Sequence, residues 1–203
     1  MFEFNSIERK LNGFTREWRS IQNASLKSTN SILGLISKLN LVKNKQYTEQ
    51  LTQFPDIQDR LISILIDQIN TKLPEIQKTV NEFSKLGEKI KNWEDITTKL
   101  LKNEMKKSFQ LNETEYLNEI RIIEQTLEQV KEIASMFEIE ISLRLKVFDL
   151  MQNISKEHFS VQKLSFYLTV WTSEPYLDFN RINEIIENFT DPTIEESDIK
   201  NQI

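Results

Sequence analysis

The chain has 203 residues with three Gly, four Pro, no Cys and one His. So few turn-formers disfavour sheets rich in tight turns and glycine-rich phosphate loops, and the lack of cysteine excludes disulfides and thiolate metal sites. A formal net charge of −5 disfavours a dedicated nucleic-acid binder, which needs a concentrated positive face.

The amino-terminal stretch MFEFNSIERKLNGF lacks the basic start and unbroken apolar run of a signal peptide. With no cysteine to demand an oxidising compartment, the predicted location is cytosol or nucleus. No stretch of the chain offers eighteen consecutive apolar residues, so no membrane span is expected.

The first predicted helix carries Ile7, Leu11, Phe14, Trp18 and Ile21, then Ser25 and Ser28, then Ile32, Leu35 and Leu39 at steps of three and four. Asn5 followed by Glu8 has the spacing of a cap. The two serines either let another helix approach closely or make a polar contact with a partner.

After a polar stretch from Lys43 to Gln50, FPDIQDRL opens a second seam of Leu61, Leu65, Ile69, Leu73, Ile76, Val80, Phe83, Ile90 and Trp93. Pro55 and Asp56 suit a helix start, where a missing donor is harmless and an acid meets the positive dipole end. Pro74 is expected to kink this helix or divide it in two. Residues 97–112, TTKLLKNEMKKSFQLN, are basic and without a clean seam. They read as a mobile connection with solvated charges, or as a contact for an acidic partner or RNA.

The longest repeat runs from Tyr116 through Ile120, Ile123, Leu127, Val130, Ala134, Phe137, Ile141, Leu145 and Phe148 to Met151. Asn112 with Glu115 forms a capping-box-like start. At 1.5 Å per residue such a helix is roughly 54 Å long, too long to be wrapped by a compact globule, so its seam must meet other helices.

Two shorter helices follow. One carries Val161, Leu164, Leu168 and Trp171 and stops before Pro175; the next carries Ile182, Ile185, Ile186 and Phe189 and is capped by Asp178. Beyond residue 190 the apolar period dissolves. The predicted architecture is therefore all-α: long antiparallel amphipathic helices in an elongated bundle or coiled-coil hairpin, with two short C-terminal helices. Residues 1–190 are expected to form one helical domain and residues 191–203 a disordered tail.

Catalytic chemistry finds no support. One histidine, His158, builds neither a His-paired nucleophile nor a histidine-rich metal site. Glu138 with Glu140 and Glu195 with Glu196 do not converge on one helix face. No GxxxxGK[ST], GxGxxG, GxSxG or HExxH occurs, and Gly13, Gly34 and Gly87 are too scattered to cradle a phosphate. No enzyme activity, cofactor or metal is expected. Trp171, Pro175 and Tyr176 are candidates for protein binding, because Trp and Tyr concentrate at interface hot spots; core packing is the competing reading.

The segments EWRSIQNASLKSTNSILGLISKLN, FPDIQDRL (Phe54 to Leu61) and MFEIEISLRLKVFDLMQNI, with a late tryptophan and a short last helix, resemble the AIRIM family of helical ribosome-maturation factors. The likeness extends from about Ile7 to Phe189. LSFYLTVWTSEPYL looks more like CINP, a small helical protein that partners AIRIM. The resemblance implies a non-enzymatic subunit or adaptor of an AAA+ ATPase complex. That complex remodels late precursors of the large ribosomal subunit and releases a maturation factor for recycling. It also implies a second small helical partner, CINP-like or AIRIM-like, an indirect contact with the pre-ribosomal particle, and a location in nucleus and cytoplasm. No membrane and no direct nucleic-acid binding are implied. Phe54, Asp56 and Arg60 of the distinctive FPDIQDRL motif join the protein-binding candidates. A coiled-coil tether of a kinetochore, centrosome or vesicle system is the alternative, since its heptads would look the same.

Overall fold

The computed structural model describes residues 4–44, 54–108, 113–156 and 160–190. They form five helices and, among the described residues, no strand: α1 (Phe4–Lys43), α2 (Pro55–Ser108), α3 (Glu113–Lys156), α4 (Val161–Ser173) and α5 (Phe179–Thr190). The all-α class holds, with long helices packed against each other and two short ones following. No described helix is long and apolar enough to cross a membrane.

The helices contribute to two compact units. Of the described residues, the first comprises 4–18, 85–108, 113–140 and 176–190, and the second comprises 19–44, 54–84, 141–156 and 160–175.

In the first unit α1 and α2 run antiparallel. The Phe14 ring meets the Trp93 edge at 5.5 Å between centroids, and Lys89 Nζ lies 2.6 Å from Glu17 Oε1. Trp18 packs on Phe137 of α3 at 5.5 Å. Ser108 Oγ donates to Glu119 Oε2 at 2.6 Å, tying the end of α2 to α3. Helix α5 buries Ile182, Ile185, Ile186 and Phe189, the four residues its period selects. Its cap is Asp178, whose Oδ1 accepts from the amides of Asn180 and Arg181, both at 3.0 Å. Arg181 then reaches both carboxylate oxygens of Glu132 at 2.9 and 3.0 Å.

In the second unit α1 and α2 again run antiparallel, with Ser28 Oγ donating to Glu75 Oε2 at 2.6 Å and Gln58 Nε2 to the Val42 carbonyl at 2.9 Å. Helix α4 starts at Ser160, whose Oγ accepts from the Lys163 amide at 3.4 Å, and buries Val161, Leu164, Leu168 and Trp171. It ends at Glu174, which adopts the left-handed conformation with φ 48° and ψ 52°.

Several expectations are corrected. Residues 97–108 are the last turns of α2 and not a mobile connection; Thr97, Leu101 and Ser108 are buried there. That seam escapes a search for large apolar residues because Thr and Ser hold two of its positions. Helix α2 is not divided at Pro74 but continues through it. The proline lies on the exposed side, so its ring displaces no packed residue. In α1 the buried positions are Thr29 and Ile36, with Ser28 and Leu35 only half-buried. In α3 Leu145 is 40% exposed, and its neighbour Arg144 takes the inner position. A strict three-four spacing drifts across the face of a 3.6-residue helix over many turns, so the seam passes to adjacent residues.

Leu61 is exposed rather than packed. Helix α1 begins at Phe4, so Asn5 falls inside the first turn instead of preceding it, and Glu8 Oε1 accepts from Asn12 Nδ2 at 3.2 Å. Asn112, His158 and residues 191–203 lie outside the described residues.

Candidate protein-docking surface

The candidates separate into a buried group and an exposed group. Trp171 is buried in the second unit, and its contacts explain why. Its indole Nε1 donates to Ser25 Oγ at 3.2 Å, and that hydroxyl donates to the Gln22 carbonyl at 2.8 Å. The Phe83 ring stands edge-on at 6.2 Å. The Arg144 guanidinium lies 4.8 Å from the centroid of Phe83 and 5.1 Å from that of Trp171. Arg144 Nη1 also donates to Gln22 Oε1 at 2.8 Å, and Nη2 is 3.6 Å from Glu174 Oε1. A cation packed on two aromatic faces with fixed acceptors recovers part of the hydration it has lost. The cluster anchors α4 to α1, α2 and α3 within this unit, so Trp171 contacts its own chain. Ser25 makes a polar contact there, as does Ser28 with Glu75.

Pro175 is exposed in the same unit. Tyr176 belongs to the first unit, where its amide donates to the buried Glu140 Oε2 at 3.1 Å while the residue as a whole remains 51% exposed.

Phe54, Asp56 and Arg60 are all exposed at the start of α2 in the second unit. They accompany a second apolar face that the core seam of α2 does not include. Phe54, Ile57, Leu61 and Ile64 are 55%, 45%, 36% and 51% exposed. The steps from Ile57 to Leu61 to Ile64 are four and three, so these side chains share one helix face. Leu41, next to the Val42 carbonyl that Gln58 holds, is exposed at the same level of α1. The signal was present in composition. Positions 57–66, IQDRLISILI, hold six apolar residues in ten, more than one core-facing stripe accommodates. Only Leu65 of them is buried. A run of exposed apolar side chains on one helix face with polar borders is a candidate protein-binding surface.

Among the described residues no group of three or more His, Cys, Asp or Glu side chains is placed to hold a metal ion.

These features define an all-α protein of long packed helices that leaves an apolar helix stripe uncovered. Residues 3–187 match the family model described as CA109-like, ribosome biogenesis protein C1orf109-like, and the chain belongs to this family. C1orf109 is AIRIM, so the likeness seen in the first helix and in FPDIQDRL points to the same family, with a role in ribosome biogenesis. No curated protein and no solved structure matches the chain.

Proposed function

We propose that the chain is a non-enzymatic subunit or adaptor of an AAA+ ATPase complex in late maturation of the large ribosomal subunit. It pairs with a second small helical protein, docks the pair on the ATPase, and so serves the release and recycling of a maturation factor in nucleus and cytoplasm. Its contact with the pre-ribosomal particle is indirect. The family supports the ribosomal setting. The observation that carries the adaptor reading is the uncovered stripe of Phe54, Ile57, Leu61 and Ile64, since apolar side chains at helical spacing gain from burial against another helix.

Mass spectrometry of proteins recovered with the tagged full chain tests this. Recovery of an AAA+ ATPase with a small helical protein is the expected result. A stoichiometric set of coiled-coil tethering proteins without an ATPase would replace this reading with the tether.

A further inference from the structure

We propose that the last turns of α2 carry a second docking surface, an apolar pair with a lysine border that takes an amphipathic partner helix flanked by Glu or Asp. It lies in the first unit, whereas the stripe from Phe54 to Ile64 lies in the second, and it stands whether or not the adaptor reading holds.

The surface is built on one helix face. Ile96 and Leu100 are 49% and 50% exposed and one turn apart, so they project side by side. Lys99 and Lys106, both exposed and seven residues apart, run along one side of the pair. Lys89 and Lys107 stand at its two ends, seven residues before Ile96 and seven after Leu100. On the remaining side lies α1. Glu17 meets Lys89 there, and seven residues back along α1 against seven on along α2 keeps to the same edge of the antiparallel pair. That step sets the exposed Lys10 level with Ile96.

Charge decides the occupant. Glu17 and Glu104 hold Lys89 and Lys107 in ion pairs of 2.6 Å each. Among the described residues no ion pair engages Lys10, Lys99 or Lys106. Asp95 lies about 100° round the helix from Ile96 and further from Leu100, behind the lysine row, and Glu94 is half-buried on the opposite side. Arg9 of α1 adds an exposed base, while Glu8 is held by Asn12 and Glu119 of α3 by Ser108. Three lysines without acids around two apolar side chains repel a helix with basic flanks and favour one with acidic flanks. RNA is the poorer match, because a phosphate backbone gains nothing from Ile96 and Leu100 and meets a chain of net charge −5.

Two synthetic helical peptides and one RNA test this against the purified full chain by fluorescence anisotropy. The peptides share two Leu one turn apart and carry Glu or Lys on both flanks; the RNA is single-stranded oligouridylate. At low ionic strength the Glu peptide should bind about tenfold more tightly than the Lys peptide, with the ratio falling as salt screens the border. Lys99→Glu with Lys106→Glu should reverse that preference. Ile96→Ser with Leu100→Ser should weaken Glu-peptide binding by about fivefold or more while leaving its salt dependence in place. All the substituted positions are exposed, and an unchanged circular-dichroism spectrum verifies each fold. Equal binding of the two peptides, binding of neither, or Glu-peptide binding that survives both double variants overturns the proposal. RNA bound as tightly as the Glu peptide and indifferent to the Ser variant overturns it in favour of nucleic acid. Sedimentation showing self-association that the double Glu variant abolishes overturns it in favour of a second copy. No ATPase enters these measurements, so their failure leaves the adaptor reading untouched.

Discussion

The guanidinium of Arg144 lies 5.1 Å from the ring centroid of Trp171, with Phe83 on another side at 4.8 Å. Arg144 is 1% exposed, so the contact joins α3 to α4 inside the second unit without competition from solvent.

Arg144→Ala should be strongly destabilising, by about 3 kcal/mol, because it removes the donor to Gln22 and leaves a space between two rings. Arg144→Met keeps much of the volume and should cost markedly less. Urea unfolding of the three proteins measures the difference. Equal losses for Ala and Met would show that the charge and its hydrogen bond, and not packing, carry the contribution.

Trp171→Phe removes the indole donor to Ser25 while retaining a ring. A loss of about 1–2 kcal/mol is expected for a buried acceptor left without its donor plus the smaller ring. Combined with Ser25→Ala, the double variant should lose less than the sum of the singles, by roughly 0.5 kcal/mol or more. A thermodynamic cycle from denaturant midpoints reads this coupling.

Glu174 holds a left-handed backbone at φ 48°, which costs a side-chain-bearing residue about 1 kcal/mol or more. Glu174→Gly relieves that cost and loses the contact with Arg144, whereas Glu174→Gln loses the charge and retains the cost. The Gly variant should therefore be more stable than the Gln variant, by about 1 kcal/mol in thermal or urea unfolding.

The two hydrogen bonds from Arg181 hold the Glu132 carboxyl below its ordinary value of 4.5, and the neighbouring positive charge adds to this. A depressed folded-state value means stability present above 4.5 and lost as pH falls through the folded value. Both side chains are more than a third exposed, so solvent screening limits the contribution to under about 1 kcal/mol. Unfolding at pH 6 should therefore show Glu132→Gln slightly less stable than the native chain, with the gap closing as the medium is acidified through the lowered folded-state value. A gap that widened on acidification would contradict this assignment.

The short helices were the most legible parts of the chain. Val161, Leu164, Leu168 and Trp171 in α4, and Ile182, Ile185, Ile186 and Phe189 in α5, are buried as their spacing requires, and Asp178 caps as its position requires. A short helix leaves little length for the pattern to drift. The long helices were legible in type and less so in detail. Arg144 displaced Leu145 from the inner face of α3, and Thr97 and Ser108 continued a seam that polar residue types concealed. The candidate surface was legible in part. FPDIQDRL was singled out with Phe54, Asp56 and Arg60, while Ile57 and Ile64, two of its main apolar contributors, were not.

Periodicity by itself determined the helices, because the spacing of apolar residues selects a 3.6-residue repeat and the scarcity of Gly and Pro leaves it unbroken. Tertiary structure alone decided which of several apolar faces was covered. Ile64 and Leu65 are neighbours of the same chemical kind, yet Leu65 is packed and Ile64 is open. Burial depends on which helix lies opposite, and a one-dimensional pattern carries no information on that.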